Sequence, residues 1–426
     1  MELAENRAKL DEDEPSKISS RETEFLDIND DCILAILESL KIDDLYSLGS
    51  TCVRINQLAG DVFGRKYSDE WIDVNIQEHP KKVHVHAAPI RLQRIFQFIN
   101  SKCCSELKHL ELYGIRCGIS CGAYGDSAKN LLAQLESIKI NDFFSDCDIY
   151  AGVLQYCKNI KCFSIHIDRN AYSRPWNNYK QLKQFNGENH PHLKMITCED
   201  VNTNVMRSMV STVRNLEYLK LELLYDEYIN EIYDDLKAAC DNGQIGQLEL
   251  ILPKTNIFSR KSENYDIRRY VNLRSLCTLR NVFFYDLENI TSIKNMINLQ
   301  RLEMDLDHNG DQLIEFVDVL SELPKLIELK VNMNWENPLV NLNQFCLPIV
   351  QKSPKMETLK IVGLQYDVIT SDLMRDVVTS LNRIRSAVNE AVPLTVYIKT
   401  NGGNAVDVGA PLNIPNGDMV KFEVIS

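Results

Sequence analysis

A short phrase, apolar-x-x-apolar-x-apolar, returns ten times along the chain, and this return limits what the sequence can fold into. It reads Leu107-Leu110-Leu112, Leu135-Ile138-Ile140, Ile160-Phe163-Ile165, Leu193-Ile196-Cys198 and Leu216-Leu219-Leu221. It continues as Ile245-Leu248-Leu250, Leu273-Leu276 with Leu279 one place late, Leu299-Leu302-Met304, Leu326-Leu329-Val331 and Met356-Leu359-Ile361. The intervals between first residues are 28, 25, 33, 23, 29, 28, 26, 27 and 30. Alternating apolar positions mark a short strand, and near-regular return marks stacked units that bury their apolar faces on one another. Between phrases, apolar residues fall on one helical face: Leu92, Ile95, Phe96 and Ile99; Leu313, Phe316, Val317 and Leu320; Leu373, Val377, Leu381 and Ile384. Pro191, Pro324 and Pro354 stand just before the next phrase, where a proline ends a helix.

A repeated short strand followed by a returning helix resembles the leucine-rich repeat, in the class with a full helix per turn. The resemblance implies an α/β solenoid over residues 69–400, with parallel strands lining a concave face and helices a convex one. Side chains between the buried leucines would then point to the concave side. Candidate recognition residues there are Tyr113, Asn141, His166, Glu222, Glu303, Asp305 and Asn332. Glu303, Asp305 and Asp307 form an acidic step suited to a basic guest. Residues 71–76, from Trp71 to Ile76, alternate as an additional strand before the phrases, and 394–398 reads as the last strand, with a turn at 401–404. Residues 401–426, with Val420, Phe422 and Val424 alternating, form a C-terminal cap or tail that folds back on the last turns.

Residues 25–68 follow a different rule. Ile33, Ile36, Leu37 and Leu40, then Leu45, Leu48 and Cys52, then Ile55, Leu58, Ala59 and Val62 predict three short amphipathic helices. Asn29, Asp30 and Asp31 suit the start of the first, and Asp43 and Asp44 open the second in the same way. A unit of about forty residues encloses little of its own apolar surface, so some of these side chains must pack on something further. The order Ile28, Ile33, Ile36, Leu37, Leu40, Asp44-Leu45, Leu48, Thr51-Cys52 and Leu58-Ala59 resembles the F-box. Asn29 stands where that pattern carries proline, and Asp31 where it carries glutamate.

Composition removes several function classes. A net charge of -13 disfavours nucleic acid and anionic membrane surfaces, because both need a basic footprint. No apolar run reaches the length of a membrane span, and the opening MELAENRAKLDEDEPSK lacks a secretory core, which predicts a cytoplasmic or nuclear protein. Residues 1–24, with Asp11-Glu12-Asp13-Glu14, are read as a disordered acidic tail. Thirteen cysteines without framework spacing fit a reducing compartment. Cys103, Cys104, Cys117 and Cys121 have finger-like separation, but a repeat phrase runs between them, so they read as core and loop thiols. His84 and His86 lack a third ligand, and Gly125-Asp126-Ser127 lacks the partners of a hydrolase turn. No metal, cofactor or catalytic residue is expected.

An F-box followed by leucine-rich repeats resembles the F-box/leucine-rich-repeat family. The resemblance implies a non-catalytic substrate receptor of a cullin-type (SCF) ubiquitin ligase, which docks on a Skp-type adaptor and holds a target protein for degradation. The adaptor-binding group it implies is Ile28, Ile33, Ile36, Leu37, Leu40, Leu45 and Leu48. The alternative is a leucine-rich scaffold with no ligase role, in which the helical unit is an N-terminal cap with Ile33, Leu37 and Leu40 buried on the first repeat.

Overall fold

The computed structural model describes residues 28–67, 72–75, 107–113, 125–143, 153–167, 185–199, 203–223, 226–253, 267–284, 291–306, 313–333, 342–365, 371–387, 391–401 and 419–425. The chain divides into two compact units, Met1–Lys66 and Tyr67–Ser426. The Cys103 group, His84, His86, residues 92–99, Trp71, Asp307 and 402–404 lie outside the described residues.

Among the described residues, the first unit holds three helices, α1 (Asp30–Ser39), α2 (Ile42–Gly49) and α3 (Val53–Tyr67). Asn29 caps α1 as its short side chain predicts, accepting from the Cys32 N–H at 2.9 Å. The second start differs from expectation. α2 begins at Ile42, with Lys41 in the cap position and no side-chain cap bond. Asp43 and Asp44 therefore fall inside its first turn. Two cations of α3 fix its course: Arg54 donates to Ile28 O and to Asp30, while Lys66 donates to Glu38 O and Leu40 O. One tether is at the start of each helix and the other near the end of each, so α3 runs beside α1 in the same direction.

The second unit is α/β. Thirteen strands form one sheet in chain order, and every neighbouring pair is parallel. They are β1 (Ile72–Asn75), β2 (His109–Tyr113), β3 (Ser137–Phe143), β4 (Cys162–Ile167), β5 (Met195–Glu199), β6 (Leu216–Glu222) and β7 (Ile245–Ile251). The rest are β8 (Leu276–Phe284), β9 (Arg301–Leu306), β10 (Glu328–Met333), β11 (Thr358–Gln365), β12 (Leu394–Asn401) and β13 (Val420–Ile425). Each of the ten phrases carries one strand. Strand β12 is not the last, because β13 pairs with it in parallel, extending the sheet where a cap folding back was expected.

The registers form continuous rows. One passes through Ile140, Ile165, Cys198, Leu221, Leu250, Leu279, Leu302, Leu329, Leu359 and Val396, all buried at 1% exposure or less. The late Leu279 has a cause in β8. Pairing shifts on both of its sides, between Leu248 and Glu249 of β7 and between Leu279 and Val282 of β8 itself. Asn281 takes a left-handed φ of 58° within the second shift, and its amide donates to Leu252 O at 2.9 Å.

The connections vary where the strands do not. Full helices precede β3, β6, β7, β10, β11 and β12: α4 (Gly125–Gln134), α5 (Thr203–Thr212), α6 (Asp226–Asp241), α7 (Leu313–Ser321), α8 (Leu342–Lys352) and α9 (Ser371–Ala387). Among the described residues, short 3-10 turns stand just before β4, β5, β8 and β9. Gly187 in one of them is compelled, since a Cβ there would meet the Val213 backbone at 2.7 Å. Adjacent repeats are also joined by a recurring backbone bond. The carbonyls of Lys108, Glu136, Lys161, Lys194, Gln300 and Ile327 each accept two N–H groups from the next repeat or the strand beside it.

Candidate functional site

The face of the sheet opposite the leucine rows carries polar side chains on strands β2 to β12, with Ile251 and Val362 standing in the same rows. Directly opposed strand residues lie within reach of one another, so a charge on this face meets the charge on the next strand. Lys139 pairs with Glu111 at 2.7 Å, and Asn141 donates to the same carboxylate. Glu199 accepts from His166 Nδ1 at 3.0 Å and from Lys220 at 2.6 Å. Those two donors, the histidine first, hold the Glu199 carboxyl down at about 2. Glu249, buried, accepts from Tyr218 Oη and lies 3.1 Å from Arg280 Nε. Burial, then that bond, pushes the Tyr218 hydroxyl up.

Further along, Lys330 pairs with Glu303 at 2.5 Å, Asn332 donates to Asp305 at 2.6 Å, and Lys360 pairs with Glu328 at 2.9 Å. This alters the expected acidic step. Glu303 is answered by a lysine and Asp305 by an amide, so the surface there is a mixed ladder and its pull on a basic guest is reduced.

The seven residues assigned to recognition lie in three groups. Tyr113 and Asn141 are in register on β2 and β3. His166, Glu199 and Glu222 share one row across β4, β5 and β6. Glu303, Asp305 and Asn332 lie together on β9 and β10. Sequence reasoning passed over Glu199, Tyr218 and Arg280. Glu199 was within reach of the alternation rule, since it follows Cys198 as Glu222 follows Leu221. Tyr218 lies one row earlier, and Arg280 stands beside the β8 irregularity, where alternation fails.

In the helical unit the seven expected adaptor residues divide. Ile33, Leu37 and Leu45 are fully buried, with Ile55, Ala59, Val62 and Phe63. Ile28, Leu40 and Leu48 are half-buried. Ile36 is 39% exposed, and Val53, outside the expected group, is 76% exposed. The first three are core positions of this chain and cannot face a partner without opening the helices. A surface role falls on Ile36 and on the half-buried three.

A cavity of about 520 Å³ lies at the end of α6, lined by Lys237, Asp241, Arg274, Ile297 and Asn298 among others. It lies where α6 borders the 3-10 turns before β8 and β9. Asp241 pairs with Lys237 at 2.5 Å and lies 3.6 Å from Arg274.

Gly125-Asp126-Ser127 opens α4. Burial pushes the Cys346 thiol up to about 12 and raises Cys198, Cys240 and Cys277, keeping all four protonated and unreactive. Among the described residues no group of three or more His, Cys, Asp or Glu could hold a metal, and no helix is long and apolar enough to cross a membrane. No protein-family model matches the sequence, and no curated protein matches it.

Proposed function

We propose that the chain is a non-catalytic recognition subunit: a leucine-rich solenoid that holds a target protein on its polar face, carried by an F-box-like helical unit that docks on a Skp-type adaptor of a cullin ligase. The observation that carries the recognition half is the sheet itself. All-parallel sheets are ordinarily covered on both faces, yet this one carries polar side chains along one face, paired within β2–β3, β4–β8 and β9–β11. A polar face of this length suits a protein surface better than a small molecule. The ligase half rests on the sequence resemblance and on Ile36. The target would be raised in effective concentration near the conjugating enzyme, with no chemistry supplied by this chain.

One observation favours the second reading, a scaffold without an adaptor. Ile33, Leu37 and Leu45 are consumed inside the chain, which leaves a narrower apolar surface than the seven residues implied by the resemblance. Affinity purification separates the two. Ile36→Lys with Val53→Glu is expected to reduce adaptor recovery at least about tenfold while leaving the helices folded. Recovery of adaptor at the unsubstituted level, or none with the natural chain, would leave the scaffold.

A further inference from the structure

Strand β13 is the last of the sheet among the described residues, and none of them pairs with its outer edge. Its sequence around that edge is Met419-Val420-Lys421-Phe422-Glu423-Val424-Ile425. Read outward from Phe422, the polarity is the same in both directions and the charge is inverted: Lys421 against Glu423, Val420 against Val424, Met419 against Ile425. Register fixes the faces. Val420 lies opposite Leu394 and Phe422 opposite Val396 in the core rows, while Lys421 and Glu423 lie opposite Thr395 and Tyr397 in the polar rows. Both charged side chains are accessible, at 59% and 36%, and pair with each other at 2.5 Å.

We infer that this edge is an interface with a second copy of the chain, formed by antiparallel pairing of two β13 strands about a two-fold axis that passes between the two Phe422 residues. Such an axis is normal to the sheet, so it keeps the apolar rows on one side and the polar rows on the other. Each Lys421 then faces the Glu423 of the second copy, and the four charges alternate in sign. Directly opposed opposite charges stabilise a strand pair, and like charges destabilise it. A lone lysine on an edge strand blocks association. A lysine and a glutamate placed symmetrically about the central residue do the reverse, and only toward an antiparallel copy of themselves.

The edge is six residues long, far below the ~1,200–2,000 Å² of a standard interface, so the dimer is expected to be weak, with Kd on the order of 10–100 µM. The test is sedimentation of the full chain from about 1 to 200 µM, with circular dichroism confirming the fold of each variant. Lys421→Glu and Glu423→Lys are each expected to weaken dimerisation about tenfold or more, since two symmetric contacts turn from attraction to repulsion. The double swap restores the alternation and should return the dimer to within about threefold of the natural chain. A monomer throughout the range, a dimer insensitive to Lys421→Glu, or a swap that stays monomeric would each overturn the inference.

Discussion

The helical unit and the strand stack bury their side chains in different ways. In the first, seven fully buried residues on three short helices make up the described core: Ile33, Leu37, Leu45, Ile55, Ala59, Val62 and Phe63. In the second, each strand bonds only to its neighbours, and the core is a row that can lose one member without losing the next. A lesion in the helical unit is therefore global to that unit, whereas one in the stack is local. The largest expected effect follows: Leu37→Asp buries an unpaired charge among seven residues and should cost more than about 4 kcal/mol. Hydrogen exchange checks it. Amides of α1–α3 should lose protection together while those of β5–β7 keep theirs, and a joint loss would show that the units unfold as one. Leu219→Ala, by contrast, should cost about 2–5 kcal/mol and loosen only β5–β7.

One residue departs from this rule of local effects in the stack. Arg385 of α9 is fully buried, and its guanidinium donates to Val350 O, Ser353 O, Met356 O and Val392 O. The first two carbonyls lie at the C-terminal end of α8, where unpaired acceptors and the negative helix pole favour a cation. Burial lowers its pKa, yet an arginine stays charged. Arg385→Ala would take a donor from four carbonyls in two adjacent connections and should cost on the order of 3–5 kcal/mol, read by denaturant titration. Arg385→Lys should recover only part of that, because one ammonium cannot reach four carbonyls.

On the polar face the effects are smaller and depend on pH. The folded Glu199 pKa is about 2, below its ordinary value of 4.5, so the stabilisation it contributes is fully present above pH 4.5. It is lost as pH falls from about 4.5 toward 2, on the order of 2 kcal/mol for a carboxylate this depressed. Glu199→Gln should flatten that part of the acid-stability curve, lowering stability above pH 4.5 by about that amount and leaving it little changed near pH 2. If the natural and substituted chains lost stability in parallel below pH 4.5, the His166–Glu199–Lys220 bonds would contribute nothing.

The same contrast explains what could be read in advance. The stack was legible because each strand repeats the previous one's requirement: Leu110, Ile138, Phe163, Ile196, Leu219 and Leu248 answer one another in register, as their spacing implied. The 3-10 turns before β4, β5, β8 and β9 were not, since a connector is constrained only at its ends. Arg385 gave no signal either. A lone arginine on a helix reads as solvated until four carbonyls converge on it. In the helical unit the period located the helices but not which side of each stripe the chain itself would cover. Ile36 and Leu37 are both apolar, both on the predicted face, and adjacent in sequence.

That adjacency gives the smallest predicted effect and the most informative one. Helical residues one apart point about 100° away from each other, so Leu37 is fully buried while Ile36 remains 39% exposed. Ile36→Lys removes little buried apolar area and places a cation near the end of a helix that has no basic residue in its last turn. Its effect on stability should fall within about ±0.5 kcal/mol, against more than about 4 kcal/mol for Leu37→Asp one position on. Denaturant titration measures both. A loss of adaptor with Leu37→Asp reports unfolding alone, whereas a loss with Ile36→Lys, at unchanged stability, reports a surface. If Ile36→Lys proves as damaging as its neighbour, the helical unit is buried on both sides of its stripe and has no apolar surface left for a partner.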